Sequence, residues 1–375
     1  MGVLSGVRIV EIAGIGPGPF CGMLLADMGA EVILVERAGQ PDAQDAGQSA
    51  IVNRGKRSIA LDLKDDKAKD AVLRLIDGAD ALIEGMRPGV MERLGLGPEV
   101  CLRRNPRLVY GRMTGWGQEG PLAQAAGHDI NYIALSGALW FTGKRGEPPM
   151  PPPTLIGDLG GGALYLAVGI LAGILHARGT GDGQVVDAAI VDGSAHLMNL
   201  LLSVHAAGQQ PFERGTGLLD GPAWVGSYAC ADGHFISISP LEPQFNALLF
   251  SKLGLSDDPE FKRAYDPRFY GRLRERLTAL FASQPRAHWV KLLEGTDACF
   301  APVLTPAQAM EHSHMAARGV YSRPNGVLQA APAPRFSATP AGAIAGVPRR
   351  GEHGAEILTA LGLSEETIKQ LLASS

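Results

Sequence analysis

The stretch Val7-Arg-Ile-Val-Glu-Ile-Ala-Gly-Ile-Gly-Pro-Gly-Pro-Phe20 decides the fold. Residues 7–12 are an apolar, β-branched run of the kind a buried strand requires, and the glycines and prolines of residues 13–18 then turn the chain. From 20 to 28 the apolar spacing is helical, Gly29 stops it, and residues 32–35 read as the next strand. This is a β-α-β unit. Working outward, residues 81–84 and 108–113 read as further strands, with the amphipathic stretch 67–75 as the crossover helix between Leu61 and Ala81. Repeated units of this kind predict an α/β fold with a doubly wound parallel sheet, whose ligands bind beyond the carboxyl ends of the strands.

Further along, residues 159–175 are apolar with five glycines and fall short of the ~20 apolar residues of a spanning helix, so they read as a buried helix. Residues 184–187 and 188–206 read as a strand and a long helix. The pattern then changes. A turn-rich linker (206–225) leads to a hairpin around Asp232-Gly233 and to helices over 244–253, 271–282 and 287–293, which together predict a smaller α+β domain over 226–312. Residues 1–205 form the first part of the large domain. A loose, Pro/Ala-rich return and a terminal helix from Ser364 (313–375) bring the chain back to it.

With 375 residues, 46% apolar and 19% charged, the chain is globular rather than disordered, and a net charge of −4 leaves no electrostatic footprint for nucleic acid or an anionic membrane. The four cysteines, Cys21, Cys101, Cys230 and Cys299, form no Cys-x-x-Cys pair, which argues against zinc or a disulfide framework. The first residues lack a secretory pattern, and the final Ala-Ser-Ser is no peroxisomal address. A cytoplasmic protein without nucleic-acid or membrane partners is expected.

Gly14 and Gly16 carry the spacing of a dinucleotide fingerprint, and Glu36 ends the next strand where a ribose-binding acid would sit. The third glycine is replaced by Pro19, so a nicotinamide-dependent dehydrogenase is the weaker reading. Arg37, Arg54, Lys56, Arg57, Lys64, Arg87 and Arg93 gather at predicted strand ends, where they suit a multiply phosphorylated ligand or else form a solvated rim. In Gly127-His-Asp-Ile-Asn-Tyr132, His128 stands at a loop-to-helix junction, and a histidine exchanges protons near neutral pH. In Leu155-Ile-Gly-Asp-Leu-Gly-Gly-Gly162, Asp158 opens a helix whose first amides suit an oxyanion. A core histidine and an ordinary N-cap aspartate are the alternatives.

These motifs share their order with Leu24-Leu-Ala-Asp-Met-Gly-Ala30, Asn53-Arg-Gly-Lys-Arg57, Arg87-Pro-Gly-Val-Met-Glu-Arg-Leu-Gly95 and Thr114-Gly-Trp-Gly117. In that order the chain resembles the family III CoA-transferases and, within them, the α-methylacyl-CoA racemases. The resemblance implies a Rossmann-like large domain and a smaller α+β domain, in two chains interlocked as a homodimer. The site would then lie between the large domain of one and the small domain of the other. It implies His128 and Asp158 as opposed acid/base groups acting on the (S) and (R) hydrogens, with Glu242 supporting the histidine. For the CoA thioester it implies Arg37, Leu61, Asp62, Leu63, Lys64, Gly85, Met86, Arg87, Arg93, Gly127, Asp129, Ile130, Asn131 and Tyr132. No metal or redox cofactor is expected, since CoA is part of the substrate.

Thr154, Leu159 and Pro222-Ala-Trp-Val-Gly226 depart from the racemase pattern and bear on the acyl group. Two rivals remain within the resemblance. One is a CoA-transferase with Asp158 as nucleophile, which would need no second base. The other is a CoA-binding protein without activity.

Overall fold

The computed structural model describes residues 2–39 and 47–373 of the chain. Six parallel strands form one sheet: β1 (Arg8–Ile12), β2 (Glu31–Arg37), β3 (Arg57–Leu61), β4 (Ala81–Glu84), β5 (Val109–Thr114) and β6 (Gln184–Ala189). Their order is β3-β2-β1-β4-β5-β6, so the winding reverses between β1 and β4. Val10 of β1 stands between Ile33 of β2 and Leu82 of β4. Alternation along the strands divides the apolar residues between two cores. Val10, Ile12, Ile33, Ile59, Leu82 and Tyr110 face one side, whereas Ile9, Val32, Ala81, Ile83 and Val109 face the other. Each large side chain buried this way contributes about 1.5–3 kcal/mol.

The helices of this part are α1 (Pro17–Asp27), α2 (Asp66–Asp77), α3 (Val90–Arg93), α4 (Pro98–Arg104), α5 (Asp129–Ser136), α6 (Leu164–Thr180) and α7 (Ile190–Leu197). A π-helix, Leu155–Ala163, runs directly into α6. Together they form one helical run of 26 residues, long and apolar enough by composition to cross a bilayer. That corrects the shorter length expected. One face packs on the sheet through Leu166, Ala167, Ile170 and Ile174, while Leu164, Val168 and Leu175 are exposed.

The long helix expected over 188–206 also differs. Ala188 and Ala189 continue β6 opposite Met113 and Thr114, and the remainder divides at Met198 into α7 and α8 (Asn199–Ala206). Two compact units result. The first comprises Met1–Leu139, Pro151–Leu197 and Gly319–Ser375, and the second Trp140–Met150 and Met198–Arg318.

In the second unit, β7 (Gly226–Ala229), β8 (Phe235–Ile238) and β9 (Phe300–Val303) form an antiparallel sheet. It is joined by α9 (Pro243–Lys252), α10 (Tyr270–Ala282), α11 (Arg286–Leu293), α12 (Pro306–Glu311) and α13 (Ser313–Ala317). Trp224, Phe250, Phe281 and Trp289 fill its core. Residues 206–225 stand in this unit, where Arg214 donates to the carbonyls of Thr142 and Glu147 at 2.7 and 2.8 Å.

The returning segment adds β10 (Tyr321–Ser322), β11 (Gln329–Ala330), α14 (Gly354–Ala360) and α15 (Glu365–Ala373) to the first unit. The Gly55 N–H donates to the Gly346 carbonyl at 2.9 Å, and Arg54 donates to Gln329 Oε1 and the Ala330 carbonyl at 3.0 and 2.8 Å.

Candidate active site

Where the winding reverses, the loops after β1 and β4 diverge and leave a cleft of about 360 Å³. Ile12, Ile83 and Met113 line it at the sheet, with Gly14–Pro19, Gly85–Pro88, Thr114–Trp116 and Gly127–His128 around them. Three devices fix these walls. The first is a buried ion pair: Lys56 Nζ donates to Glu11 Oε1 at 2.8 Å and to the Pro19 carbonyl at 3.0 Å, which ties the first turn of α1 to the sheet. Burial pushes the Glu11 carboxyl up, and Lys56 opposes the shift.

The second device lies at the end of β4. Buried Glu84 accepts the Met86 N–H at 2.7 Å and Arg112 Nε at 2.9 Å, and Arg112 reaches Glu92 of α3 at 2.8 Å. This carboxylate shapes the loop that carries Gly85, Met86 and Arg87. The third is α5. Asn131 Oδ1 accepts the His128 N–H at 3.0 Å at the N-cap, Tyr132 donates its hydroxyl to the Gly127 carbonyl, and Trp116 meets the Tyr132 ring edge-on at 4.7 Å.

Asp158 enters the cleft from the π-helix. Contrary to the sequence reading, in which Asp158 opens the helix, the π-helix begins three residues earlier and Thr154 is its N-cap, in a left-handed conformation with φ 61°. A π-helix is rare and occurs frequently at functional sites. Close packing here needs glycine: a Cβ on Gly157 would lie 2.5 Å from Asp129 Oδ1, and one on Gly161 would strike Ser194 of α7.

The Asp158 N–H donates to Asp129 Oδ1 at 2.8 Å, and the Leu159 N–H to the Thr154 carbonyl at 3.1 Å. Those two amides are therefore occupied and are not the open oxyanion donors expected. The Asp158 carboxyl is half-buried and, among the described residues, accepts no hydrogen bond. Burial raises its pKa above the usual carboxylate range, Asp129 raises it further by repulsion, and His128 opposes both.

His128, Asp158, Gly85, Met86, Arg87, Gly127 and Tyr132 line this one cleft. Arg37, Asp62, Lys64 and Arg93 are exposed at the same carboxyl edge without lining it, and Ile130 and Asn131 are exposed on α5. Leu63 is half-buried and packs on the core.

Three further sets of side chains are engaged within the fold. The Leu61 side chain is fully buried in the core and presents nothing to a ligand. Asp129 is buried and turned toward Asp158 rather than toward an open ligand surface. Arg54, Lys56 and Arg57 are held by Asp27, Glu11 and Glu31, so they are structural cations rather than phosphate ligands. Glu36, the ribose-acid candidate, accepts the Ser58 hydroxyl.

Glu242 stands in the second unit as the N-cap of α9, where its charge raises the pKa values of Tyr265 and Cys299 beyond the effect of their burial. All four cysteines are unpaired, and among the described residues no cluster of three or more His, Cys, Asp or Glu is placed to hold a metal. The Glu84–Arg112–Glu92 chain and the π-helix escaped the sequence reading. The glycine excess of 157–162, poor in an α-helix, was the available signal for the latter.

Residues 4–354 match the family described as CoA-transferase family III. The alpha-methylacyl-CoA racemase of Mus musculus is 43% identical over 372 residues, covering 98% of this chain and 96% of its own length. The alpha-methylacyl-CoA racemase of Homo sapiens is 41% identical over 371 residues, covering 98% and 96%. A CAIB/BAIF family protein from Brucella suis superposes with a TM-score of 0.81 at 27% identity, covering 96% of this chain and 99% of that one.

Proposed function

The chain belongs to CoA-transferase family III, and on that premise we propose that it is an isomerase inverting the α-carbon of 2-methylacyl-CoA thioesters. The observation that carries the reading is the meeting of His128, from the start of α5, and Asp158, from the π-helix, in one cleft at the winding reversal. A thioester acidifies its α-hydrogen. Inversion then needs one group to remove the proton and another to return a proton to the opposite face. Imidazole and carboxylate suit both directions, because each is the base of one and the acid of the other. Positioned groups of this kind contribute ~10²–10⁴-fold. By family correspondence His128 takes the (S) hydrogen and Asp158 the (R) hydrogen.

The raised pKa of Asp158 fits this work. A carboxyl in bulk water is a weak base and returns a proton poorly near neutrality; burial and Asp129 bring it closer to the working pH. The net reaction moves protons and no electrons, so it calls for no redox cofactor. Exposed Arg37, Lys64, Arg87 and Arg93 supply charge for the CoA phosphates. Glu242 is assigned to support His128 by family correspondence alone, as is the homodimer.

A second reading follows from the family itself: Asp158 as a nucleophile that attacks the thioester carbonyl, expels the CoA thiolate and forms a mixed anhydride. Incubating one stereoisomer with enzyme and no acceptor acid separates the two. Conversion to a mixture of isomers supports the isomerase. Turnover only when an acceptor carboxylate is added establishes the transferase.

A further inference from the structure

Asp129 follows His128 in the chain, yet its side chain serves the other base. It is 7% exposed, its Oδ1 accepts the Asp158 N–H at 2.8 Å, and a Cβ on Gly157 would press into the same oxygen. Resting on the proton-transfer reading above, we infer that Asp129 is a positioning residue that sets Asp158 against His128, through a direct tie between the two helices carrying the bases. The tie is short. His128 is the N-cap of α5 and Asp129 its first residue, so the segment that fixes one base also grips the backbone of the other.

The tie has an electrostatic side. The groups facing Asp158 from α5 are His128, Asp129 and Tyr132, whose phenol is itself raised by burial and by Asp158. The first turn of α1 presents no acid; its Gly16 would place a Cβ 3.6 Å from Asp158 Oδ2. Packed α7 carries Asp192, which acts on Asp187, and His196, which bonds Tyr165. Among these, Asp129 is the group whose charge opposes ionisation of Asp158. A neutral amide oxygen can accept the same N–H without that repulsion. Choice of a carboxylate over an amide therefore has a measurable consequence.

The test compares Asp129→Asn, which keeps an acceptor and removes the charge, with Asp129→Ala, which removes both. On the full-length protein, kcat and KM for a 2-methylacyl-CoA thioester are measured against pH, with thermal melting as the control for folding. Alanine is expected to lower kcat by ~10–100-fold with little change in KM, the scale of a misplaced catalytic group. Asparagine should restore most of that loss while moving the acidic limb of the kcat profile to lower pH, since Asp158 then ionises more readily.

A wild-type kcat in a folded alanine variant, or an unmoved acidic limb in the asparagine variant, overturns the inference. If alanine prevents folding, the asparagine profile decides alone. Failure of the wild-type enzyme to exchange the α-hydrogen is seen before any variant is made. It removes the proton-transfer reading and this inference with it.

Discussion

The two ends of the parallel sheet use the same residue types in opposite ways. At the amino end, Arg8 and Arg57 share Glu31, at 2.9 and 2.5 Å, and Arg178 meets Asp80 at 3.4 Å. At the carboxyl end, among the described residues, Arg37, Lys64, Arg87 and Arg93 stand exposed with no carboxylate within ion-pair distance. The cations named at the amino end are neutralised within the fold; at the carboxyl end Arg112 pairs with Glu84 and Glu92, whereas these four find no such partner. Among the described residues, buried acids here hold the walls of the cleft: Glu11 through Lys56, Glu84 through the loop after β4, and Asp129 through the π-helix.

This contrast can be broken by substitution. The largest effect belongs to the cleft: His128→Ala and Asp158→Ala should each reduce inversion by ~10²–10⁴-fold with the melting temperature retained. Inversion at the wild-type rate by either variant, measured by chiral analysis of the product, removes that residue from the mechanism. Next come the open cations. Arg87→Ala should raise KM for the CoA thioester about tenfold and leave kcat nearly unchanged, as expected for a charged contact worth about 1.5 kcal/mol. An unchanged KM would return Arg87 to the solvated rim.

The smallest effect lies at the other end. Arg8→Ala removes a half-exposed pair and should cost about 0–1 kcal/mol in denaturant melts, with KM and kcat unmoved. A KM change there would abolish the distinction between the two ends.

A pH profile sharpens the same contrast. Because the folded-state pKa of Asp158 is raised, its ionised form is lost as pH falls through a value above the usual carboxylate range, and inversion should decline there. Asp258, held down to about 2 by Arg276 in the second unit, should stay ionised throughout that decline. Its stabilising pair is present above the unfolded carboxylate range and is lost only as pH falls toward 2. The Asp258–Arg276 pair should therefore persist while activity declines, which an NMR titration of the Asp258 carboxyl would check.

The β1–α1–β2 start was legible because strand, glycine turn and helix follow one another without a break, and the winding followed from its repetition. β3 was not read as a strand, since Arg57–Leu61 follows Arg54-Gly-Lys56 and takes on the look of a charged loop. β9 hides Pro302 on an edge strand, where proline is tolerated. The cations were misjudged where their partners lie far off in sequence: Arg54 meets Asp27 and Lys56 meets Glu11. Local pattern carries no information on such pairs. Asp129 shows the same limit within one motif, because only the fold reveals that its side chain bonds the backbone of Asp158, 29 residues on.

The most direct measurement is isotopic. A single stereoisomer of a 2-methylacyl-CoA ester is incubated with the enzyme in heavy water, without an acceptor acid, and both isomers are examined by mass spectrometry over the first turnovers. Deuterium at the α-carbon of the inverted isomer is the expected result, lost in His128→Ala and Asp158→Ala. An inverted product without deuterium, or no α-exchange at all by a folded enzyme, would contradict proton transfer between these two groups.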